Sequence, residues 1–327
     1  MIIAVDAAGG DYYPKNPVAG ALAALDDRQD LQLVFVGPKD VITSELGEHQ
    51  YPKDRVEVVD APEVIGMHES PAQAVKTKTR SSIVTGLTLH SKGKANAFVS
   101  AGNTGALMAA SAFILGRLEG VIRPSIATVY PNIRGMGLMI DVGANLEVKP
   151  EMLHQFGTMG EIYARKVMKI ETPRVALLNV GEEEEKGTET LKEANKLLQS
   201  LPNFIGNVEG RDILYGNADV FVCDGYVGNI LLKFGETIPP AFEHILLKEI
   251  ERQQLASDQV SIISNLLKKA FEPFDYQRVG GVPFLGVNGV SLVGHGGSTT
   301  TAIKNMVLSA ARMVDEKVNS KIVASLN

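Results

Sequence analysis

Five short segments rich in glycine and small polar residues could bind an anion. They read DAAGGD (6–11), SAGNTG (100–105), DVGAN (141–145), NVGEEEEKG (179–187) and CDGYVGN (223–229), and each follows a short apolar run. Glycine permits sharp turns and close approach of a ligand, while Asn, Thr and Asp cap the helix that follows. One such segment alone is explained as a capped turn. Five at one sheet edge would form a polar cleft of backbone N–H groups, which suits a phosphate or a carboxylate.

One cation within these segments has two interpretations. Lys186 follows four glutamates, residues 182–185. Acidic side chains are favourable at a helix start, so a helix that begins there explains the glutamates, whereas a lysine in that place is mildly unfavourable. Lys186 either pairs with a neighbouring glutamate on a solvated surface or points into the cleft. In the cleft its charge would hold an anion or a developing oxyanion.

Short β-branched runs alternate with longer helical patterns along the chain. The predicted strands are residues 2–6, 31–36, 56–59, 97–101, 137–142, 174–180, 219–224 and 290–295. Strands that alternate with helices form βαβ units, so we expect a doubly wound three-layer α/β/α fold with a mainly parallel sheet. Ligands of such sheets bind outside the carboxyl ends of the strands, where the five segments stand. We expect a single α/β domain over residues 1–327.

Composition excludes several classes of function. The 327 residues carry a net charge of −6 without a basic block, which argues against a nucleic-acid-binding surface. The single cysteine, Cys223, excludes an intrachain disulfide and a cysteine-based metal cluster. The longest apolar stretch, residues 106–115, is too short to span a bilayer, and the N-terminus reads as a strand. We therefore expect a cytoplasmic location. The expected site residues include no metal ligands.

No nucleotide-binding signature fits the glycine-rich segments. DAAGGD does not supply the G-x-G-x-x-G pattern that a dinucleotide site needs after its first strand. In GEEEEKG the lysine and glycine are transposed relative to a P-loop, and four carboxylates would repel a triphosphate. The sequence therefore predicts no nucleotide cofactor.

Residues 240–271 break the strand–helix alternation. Phe242, Leu246 and Ile250 recur at four-residue spacing, and a second apolar series follows a turn. This pattern predicts two amphipathic helices joined as a hairpin, with Leu255 and Ala256 exposed at its tip. The hairpin either caps the domain or projects and pairs with its copy in a dimer.

The combination of motifs resembles the bacterial phosphate acyltransferase family of phospholipid synthesis. The matching stretches are VDAAGGD, SAGNTGAL, RPS, DVGAN, LLNVGEEEEKG, CDGYVGNILLK and GHGGS. Members of that family make acyl phosphate and free acyl carrier protein from acyl-acyl carrier protein and inorganic phosphate. The resemblance implies a fold like that of isocitrate and isopropylmalate dehydrogenases and phosphate acetyltransferases, and no organic cofactor. It also implies a homodimer, a hairpin tip that touches the membrane weakly and peripherally, and contact with the next acyltransferase of the pathway.

The family's motifs carry site roles onto individual residues of this chain. Lys186 and Asn229 fall on its catalytic lysine and asparagine. The expected phosphate- and substrate-binding residues are Asp6, Gly9, Gly10, Asp11, Gly102, Asn103, Thr104, Asp141, Asn145, Asp224, His295 and Ser298. The chain has Ala8 where the family usually has Met, and Tyr12 where it usually has His.

The chemistry requires donors more than a base. Phosphate is a competent nucleophile near neutral pH, so Lys186 and the amides of Asn103 and Asn229 would stabilise the tetrahedral oxyanion, and His295 is optional. Asp141 and Asp224 are expected to cap turns or orient neighbouring asparagines. Cys223 could accept the acyl group first, but its apolar surroundings favour a buried structural role and direct transfer.

A basic cluster could dock the acidic carrier protein. Residues 76–80 read KTKTR and include Lys76, Lys78 and Arg80. A solvated helix face explains the same cluster.

Two other functions stay open at this point. A metal- and NAD-dependent hydroxyacid dehydrogenase could share the fold, and it would need converging carboxylates and a nicotinamide site. A non-catalytic anion-binding module would need neither Lys186 nor an acyl-sized pocket.

Overall fold

A computed structural model describes residues 1–274, 277 and 280–326. The strands within these residues are β1 (Ile2–Asp6), β2 (Gln32–Gly37), β3 (Val56–Asp60), β4 (Ala97–Ser100), β5 (Ser125–Asn132), β6 (Gly135–Ile140), β7 (Val175–Leu178), β8 (Phe204–Val208), β9 (Val220–Val222), β10 (Val282–Leu285) and β11 (Ser291–Val293). The α-helices are α1 (Lys15–Asp27), α2 (Lys39–Gly47), α3 (Pro71–Thr77), α4 (Ser82–Ser91), α5 (Thr104–Ala110), α6 (Pro150–Lys166), α7 (Glu189–Leu198), α8 (Gly210–Tyr215), α9 (Gly225–Gln253), α10 (Ser257–Phe271), α11 (Thr300–Asp315) and α12 (Val318–Leu326).

All eight predicted strands are present, and their ends differ from the prediction by two residues or fewer. Three further strands, β5, β8 and β10, escape the prediction. Each contains a residue that weakens a strand pattern, namely Pro131, Gly206 and Pro283 respectively. Tertiary pairing within the large sheet overrides this local preference.

Strand direction reverses in the middle of the sheet. The strand order is β3-β2-β1-β4-β11-β10-β5-β6-β9-β7-β8. β10 is antiparallel to both of its neighbours, and β5 pairs antiparallel with β6. The carboxyl ends of β1, β4 and β11 therefore lie at one edge, and those of β6, β7 and β9 lie at the opposite edge. The prediction that all five glycine-rich segments share one edge is wrong. The strands β5 and β10 were not predicted, and their antiparallel pairings reverse the direction of the strands that follow in the sheet.

Two hydrophobic layers cover the faces of the sheet. Phe156 of α6 and Ile303 of α11 belong to one layer, and Leu107 of α5 belongs to the other. Leu138 and Met139 are successive residues of β6 that face opposite layers, as the pleat of a strand requires. This arrangement confirms the predicted three-layer α/β/α fold.

The four glutamates precede a helix and do not start it. Residues 181–187 form bends and turns, and α7 begins at Glu189 with Thr188 as its N-cap. The Thr188 hydroxyl accepts a hydrogen bond from the Leu191 amide at 3.3 Å. The helix-dipole explanation of residues 182–185 is therefore wrong, because a capping threonine places the helix start after them.

The predicted helical hairpin is confirmed, and its first helix is longer than expected. α9 runs for 29 residues from Gly225, and α10 follows a turn at residues 254–256. Ala256 at the tip is exposed as predicted, but Leu255 is half-buried because the chain folds back over the end of α9. None of the α10 residues is buried, and several large apolar side chains of both helices are exposed. Among the described residues, no helix combines the length and apolar character that crossing a membrane requires.

Candidate active site

A cavity of about 470 Å³ lies on the face of the sheet between β5, β10 and α9. Its apolar wall includes Ile126, Val142, Leu232, Val282 and Val293. The polar side chains among its described lining residues are Thr104, Thr128, Tyr130, Asn229, Lys233, Glu236, His295 and Ser298. A mostly apolar cavity of this size with a few polar groups is typical of a small-molecule site.

Asp141 fastens the loop that follows β6. Its buried carboxylate accepts hydrogen bonds from the amides of Ile126 at 2.9 Å, Ala144 at 3.3 Å and Asn145 at 2.6 Å. It also accepts one from the Asn145 side chain at 3.0 Å. Burial raises the pKa of Asp141, and the hydrogen bonds oppose that shift. The expectation that Asp141 orients Asn145 is confirmed, and its carboxylate is occupied by these contacts.

The start of α9 packs tightly on the same loop. The Asp224 carboxylate caps the helix by accepting a hydrogen bond from the Val227 amide at 2.8 Å. The Gly225 amide donates to the Asn145 carbonyl at 2.7 Å. A Cβ at Gly228 would collide with the Asp141 carbonyl oxygen, so this position requires glycine. Asp224 thus has the capping role expected from the sequence.

Cys223 lies beneath this packing and is not poised for attack. Its thiol is buried and donates to the Asp141 carbonyl at 3.4 Å. Burial, together with the carboxylates of Asp141 and Asp224, raises the pKa of Cys223 well above its ordinary value. The thiol is therefore protonated at neutral pH, which argues against a covalent route.

Asn229 lines the cavity from the first turns of α9. Its side chain lies beside Gly143, whose φ of +107° requires glycine. Lys233 and Glu236 follow at helical spacing and line the same cavity, so one face of α9 carries all three side chains. Lys233 and Glu236 are not among the residues predicted from the sequence, although GNILLK places a lysine one turn after Asn229.

The segments after β1 and β4 form a separate polar cluster at the other sheet edge. The buried Asp6 carboxylate accepts hydrogen bonds from the Ser100 hydroxyl at 2.6 Å and the Ala8 amide at 3.0 Å. Burial raises the pKa of Asp6 against these hydrogen bonds. The Ser100 hydroxyl accepts a further bond from the Gly102 amide at 3.0 Å. Asp6 thus holds two loops together.

The remaining residues of the first motif join this cluster to the loop after β11. Gly10 has a φ of +92° and lies close to Gly296, and the Asp11 amide donates to the Gly296 carbonyl at 2.8 Å. Gly9 packs on Asp6. These residues and Gly102 are absent from the described lining of the cavity.

Asn103 is an N-cap whose side chain is fully engaged. Its Oδ1 accepts from the Ala106 amide at 3.0 Å, and its Nδ2 donates to the Gly66, Met67 and Glu69 carbonyls at 3.1–3.3 Å. The expectation that this amide donates to a ligand is contradicted by these contacts. Thr104 beside it does line the cavity.

His295 and Ser298 lie in one turn at the cavity wall. The Ser298 hydroxyl donates to the His295 carbonyl at 2.6 Å, and the Gly297 amide donates to His295 Nδ1 at 3.1 Å. The cavity therefore brings His295, Ser298 and Thr104 from one sheet edge together with Asn229 from the other.

Lys186 is not among the described lining residues of the cavity. Its side chain is 48% exposed, and its ammonium lies 4.0 Å from the Glu183 carboxylate. The surface pairing is therefore the interpretation that this structure bears out. The residue stays at the same sheet edge as Asn229, because β7 pairs with β9.

The basic cluster at residues 76–80 is divided between roles. Lys78 donates to the Val64 carbonyl at 2.7 Å and to the Glu69 carboxylate at 2.6 Å, so it is tied into its own loop. Lys76 is exposed near the end of α3, and Arg80 is exposed 3.7 Å from Asp60. Two of the three N–H donors of Lys78 are engaged in this loop, so docking by Lys78 stays a prediction. Lys76 and Arg80 remain accessible.

Among the described residues, no three or more His, Cys, Asp or Glu side chains are grouped so that they could hold a metal ion.

The fold places the chain in a structural class. A phosphotransacetylase from Streptococcus pyogenes superposes with a TM-score of 0.64 at 16% identity, over 97% of this chain and 94% of that chain. The EutD phosphotransacetylase from Staphylococcus aureus superposes with a TM-score of 0.62 at 16% identity, over 96% and 94%. A 4-hydroxythreonine-4-phosphate dehydrogenase, described as putative, from Salmonella typhimurium reaches 0.50 at 14% identity, over 97% and 99%. The chain thus has the α/β fold of phosphotransacetylases, which is also found in a dehydrogenase.

The sequence comparisons narrow this class to a family. The sequence model described as "Fatty acid synthesis protein" matches residues 1–321. The phosphate acyltransferase of Salinibacter ruber is 48% identical over 97% of this chain and 95% of the relative. That of Halothermothrix orenii is 44% identical over 100% and 99%. The chain belongs to this fatty acid synthesis protein family, as its motifs indicated.

Proposed function

We propose that the chain is a phosphate acyltransferase that transfers an acyl group from acyl-acyl carrier protein to inorganic phosphate. The full-length relatives at 44–48% identity bear that name, and they support an acyltransferase of fatty acid and phospholipid synthesis. The observation that carries the proposal is the cavity, in which an apolar wall and a polar set from both sheet edges meet. The apolar wall suits an acyl chain, and the polar side chains suit a phosphate and a thioester carbonyl.

The transfer consists of an addition to the thioester carbonyl and the elimination of the carrier thiolate. A phosphate oxygen attacks the thioester carbon, the carbonyl oxygen becomes an oxyanion, and the carbon–sulfur bond breaks. The carrier thiolate takes up the proton that phosphate releases, so the products are acyl phosphate and free carrier. Asn229 supplies an amide donor and Thr104 a hydroxyl donor at the cavity wall, where preorganised donors stabilise the oxyanion.

Lys186 keeps a proposed catalytic role that the family's motif implies. Its half-exposed side chain makes one ion pair with Glu183 at 4.0 Å and lies at the same end of the sheet as Asn229, so we propose that it turns toward Asn229 once substrate binds. Lys186→Met should then lower kcat with little change in the melting temperature, because an exposed side chain contributes little to packing. Unchanged kcat would remove Lys186 from the mechanism.

Partner contacts are proposed from the exposed surfaces. The apolar side chains of α9 and α10 support a homodimer formed by the hairpin, and the exposed Ala256 supports a weak, peripheral contact of the tip with a membrane. Ala256→Glu should reduce binding to vesicles and leave turnover in solution unchanged. Binding equal to that of the unmodified protein would exclude the tip.

The carrier protein is acidic in general, so exposed cations support its docking. Lys76 and Arg80 are the accessible members of the basic cluster. Reversing both to Glu should raise the KM for the carrier-linked donor and leave the KM for phosphate unchanged. An unchanged donor KM would exclude this surface. We also propose that the next acyltransferase of the pathway takes the product, and that residues 1–327 form one domain in the cytoplasm.

The test mixes the protein with long-chain acyl-acyl carrier protein and phosphate, and traps acyl phosphate as a hydroxamate. We expect free carrier thiol and hydroxamate in equal amounts, both dependent on phosphate. Asn229→Ala should lower kcat by about 10²–10³-fold, the usual loss for one oxyanion donor. The exposed Asn288→Ala, outside the described cavity lining, is the matched control.

Parallel reactions test the alternatives. Reduction of NAD with a hydroxyacid and a divalent metal would favour a dehydrogenase. Phosphate binding without turnover would favour a non-catalytic module. Either result from folded protein would overturn the proposal.

A further inference from the structure

One face of α9 carries opposite charges into the cavity. Asn229, Lys233 and Glu236 all line it, and at 1.5 Å per residue the three positions span about 10 Å along the helix axis. Lys233 is the one lysine or arginine among the described lining residues. Within the described part of the chain, no carboxylate lies within 4.0 Å of its ammonium, whereas Lys78, Lys192 and Lys304 each have such a partner.

We infer that Lys233 binds the attacking phosphate and that Glu236 confines this anion to the Asn229 end of the cavity. The inference rests on the proposed function and names the phosphate subsite of that same cavity. A phosphate dianion in a largely apolar cavity requires a cation, and Lys233 is in place to supply it. Placed one turn after Asn229, the ammonium would hold the phosphate beside the amide proposed to bind the oxyanion.

Glu236 limits how far the phosphate subsite extends toward Tyr130. Burial is the main cause of the raised pKa of Tyr130, and the negative charge of Glu236 raises it further. The charge of Glu236 therefore acts on this part of the cavity. A like charge repels phosphate from the Tyr130 end. The arrangement leaves the segment between Asn229 and Lys233 as the favourable position for the anion.

The two charges predict kinetic effects of opposite sign. Lys233→Met should raise the KM for phosphate about tenfold or more and leave the KM for the acyl donor within about twofold. Lys233→Arg should recover part of the loss, because it restores the charge with a different geometry. Glu236→Gln should lower the KM for phosphate about twofold, because it removes a repelling charge. Lys196→Met, an exposed helical lysine outside the described cavity lining, is the matched control.

A binding measurement separates this inference from the proposed function. Phosphate should raise the melting temperature of the unmodified protein in a concentration-dependent way, since a ligand of the folded state stabilises it by mass action. Lys233→Met should need about tenfold more phosphate for the same shift. Loss of this shift in a protein without turnover would support the subsite and overturn the function. A phosphate KM and thermal shift unchanged in Lys233→Met, in a protein that makes acyl phosphate, would overturn the subsite alone.

Discussion

Asp141 and Asn145 are joined by two hydrogen bonds to one carboxylate oxygen, from the Asn145 amide at 2.6 Å and from its side chain at 3.0 Å. The Asn145 carbonyl in turn accepts from the Gly225 amide, at the start of α9. The buried carboxylate therefore sets the position of the helix that carries Asn229 into the cavity. Asp141 is not among the described lining residues of the cavity, yet it determines where the proposed donor lies.

Asp141→Asn should destabilise the protein and slow turnover. An amide nitrogen in place of either carboxylate oxygen faces two N–H donors, because Oδ1 accepts from Ile126 and Ala144 and Oδ2 accepts twice from Asn145. Unsatisfied buried donors cost about 1–3 kcal/mol each, so the midpoint of denaturant unfolding should fall. The exposed Asp26→Asn is the control. Unchanged stability would contradict the role of this network.

Cys223→Ser should leave most activity in place. The thiol is buried and its pKa is raised, so it is neither a nucleophile at neutral pH nor open to reagents. We expect no reaction with a thiol reagent in the native protein and complete reaction after unfolding. A loss of activity above about a hundredfold with an unchanged melting temperature would revive a covalent route.

Acid should destabilise the fold in part through His90. Its Nδ1 donates to the Ala95 carbonyl at 2.9 Å and its Nε2 accepts from the Val290 amide at 2.9 Å, which selects the neutral ring. Burial lowers the pKa of His90 below its ordinary value near 6.5. As the pH falls, the imidazole is therefore protonated in the unfolded chain before it is protonated in the folded protein. Stability from this group is present above the unfolded pKa and is lost as the pH falls through the folded pKa.

The measurement compares melting temperatures of the unmodified protein and His90→Asn between pH 8 and pH 5, which brackets the pKa of a free imidazole near 6.5. The variant should be less stable at pH 8, and the difference should narrow toward pH 5. A constant difference across the series would show that the protonation of His90 does not contribute.

Disruption of the exposed hairpin surface should separate the proposed dimer. Ile245 on α9 and Leu266 on α10 are each 63% exposed. Grouped exposure of apolar side chains marks an interaction surface. The double substitution of both by Glu should shift the sedimentation coefficient to that of a monomer. Lys248→Glu, an exposed charged position on α9, should not. Sedimentation of the unmodified protein as a monomer at micromolar concentration would exclude this dimer.

The sequence predicts the elements well and their arrangement less well. The eight predicted strands are confirmed because their β-branched runs are regular, whereas β5, with Pro131, and β10, with Pro283, lack that signal. Those two strands reverse the direction of the sheet, so the shared edge was predicted wrongly. Capping by Asp224 was predictable from local sequence, because a cap acts within one turn.

Which residues line the cavity depends on tertiary contacts that the local sequence does not encode. Asn103 resembles a ligand-binding amide in the sequence, but the loop at residues 66–69 occupies it. Lys233 ends the motif CDGYVGNILLK without a predicted role, and it lines the cavity on the face of α9 where Gly235 permits a close approach to Tyr130. Such tertiary approaches decide which polar side chains meet.

The most direct test of phosphate attack on the thioester follows the phosphate oxygens. The protein is incubated with acyl-acyl carrier protein and phosphate labelled with ¹⁸O at every oxygen, and the acyl phosphate is examined by mass spectrometry. Attack by a phosphate oxygen should give a product that retains all of the phosphate label, including the oxygen that bridges carbon and phosphorus, with one free carrier thiol per product. A bridging oxygen without label, or free fatty acid in place of acyl phosphate, would contradict it.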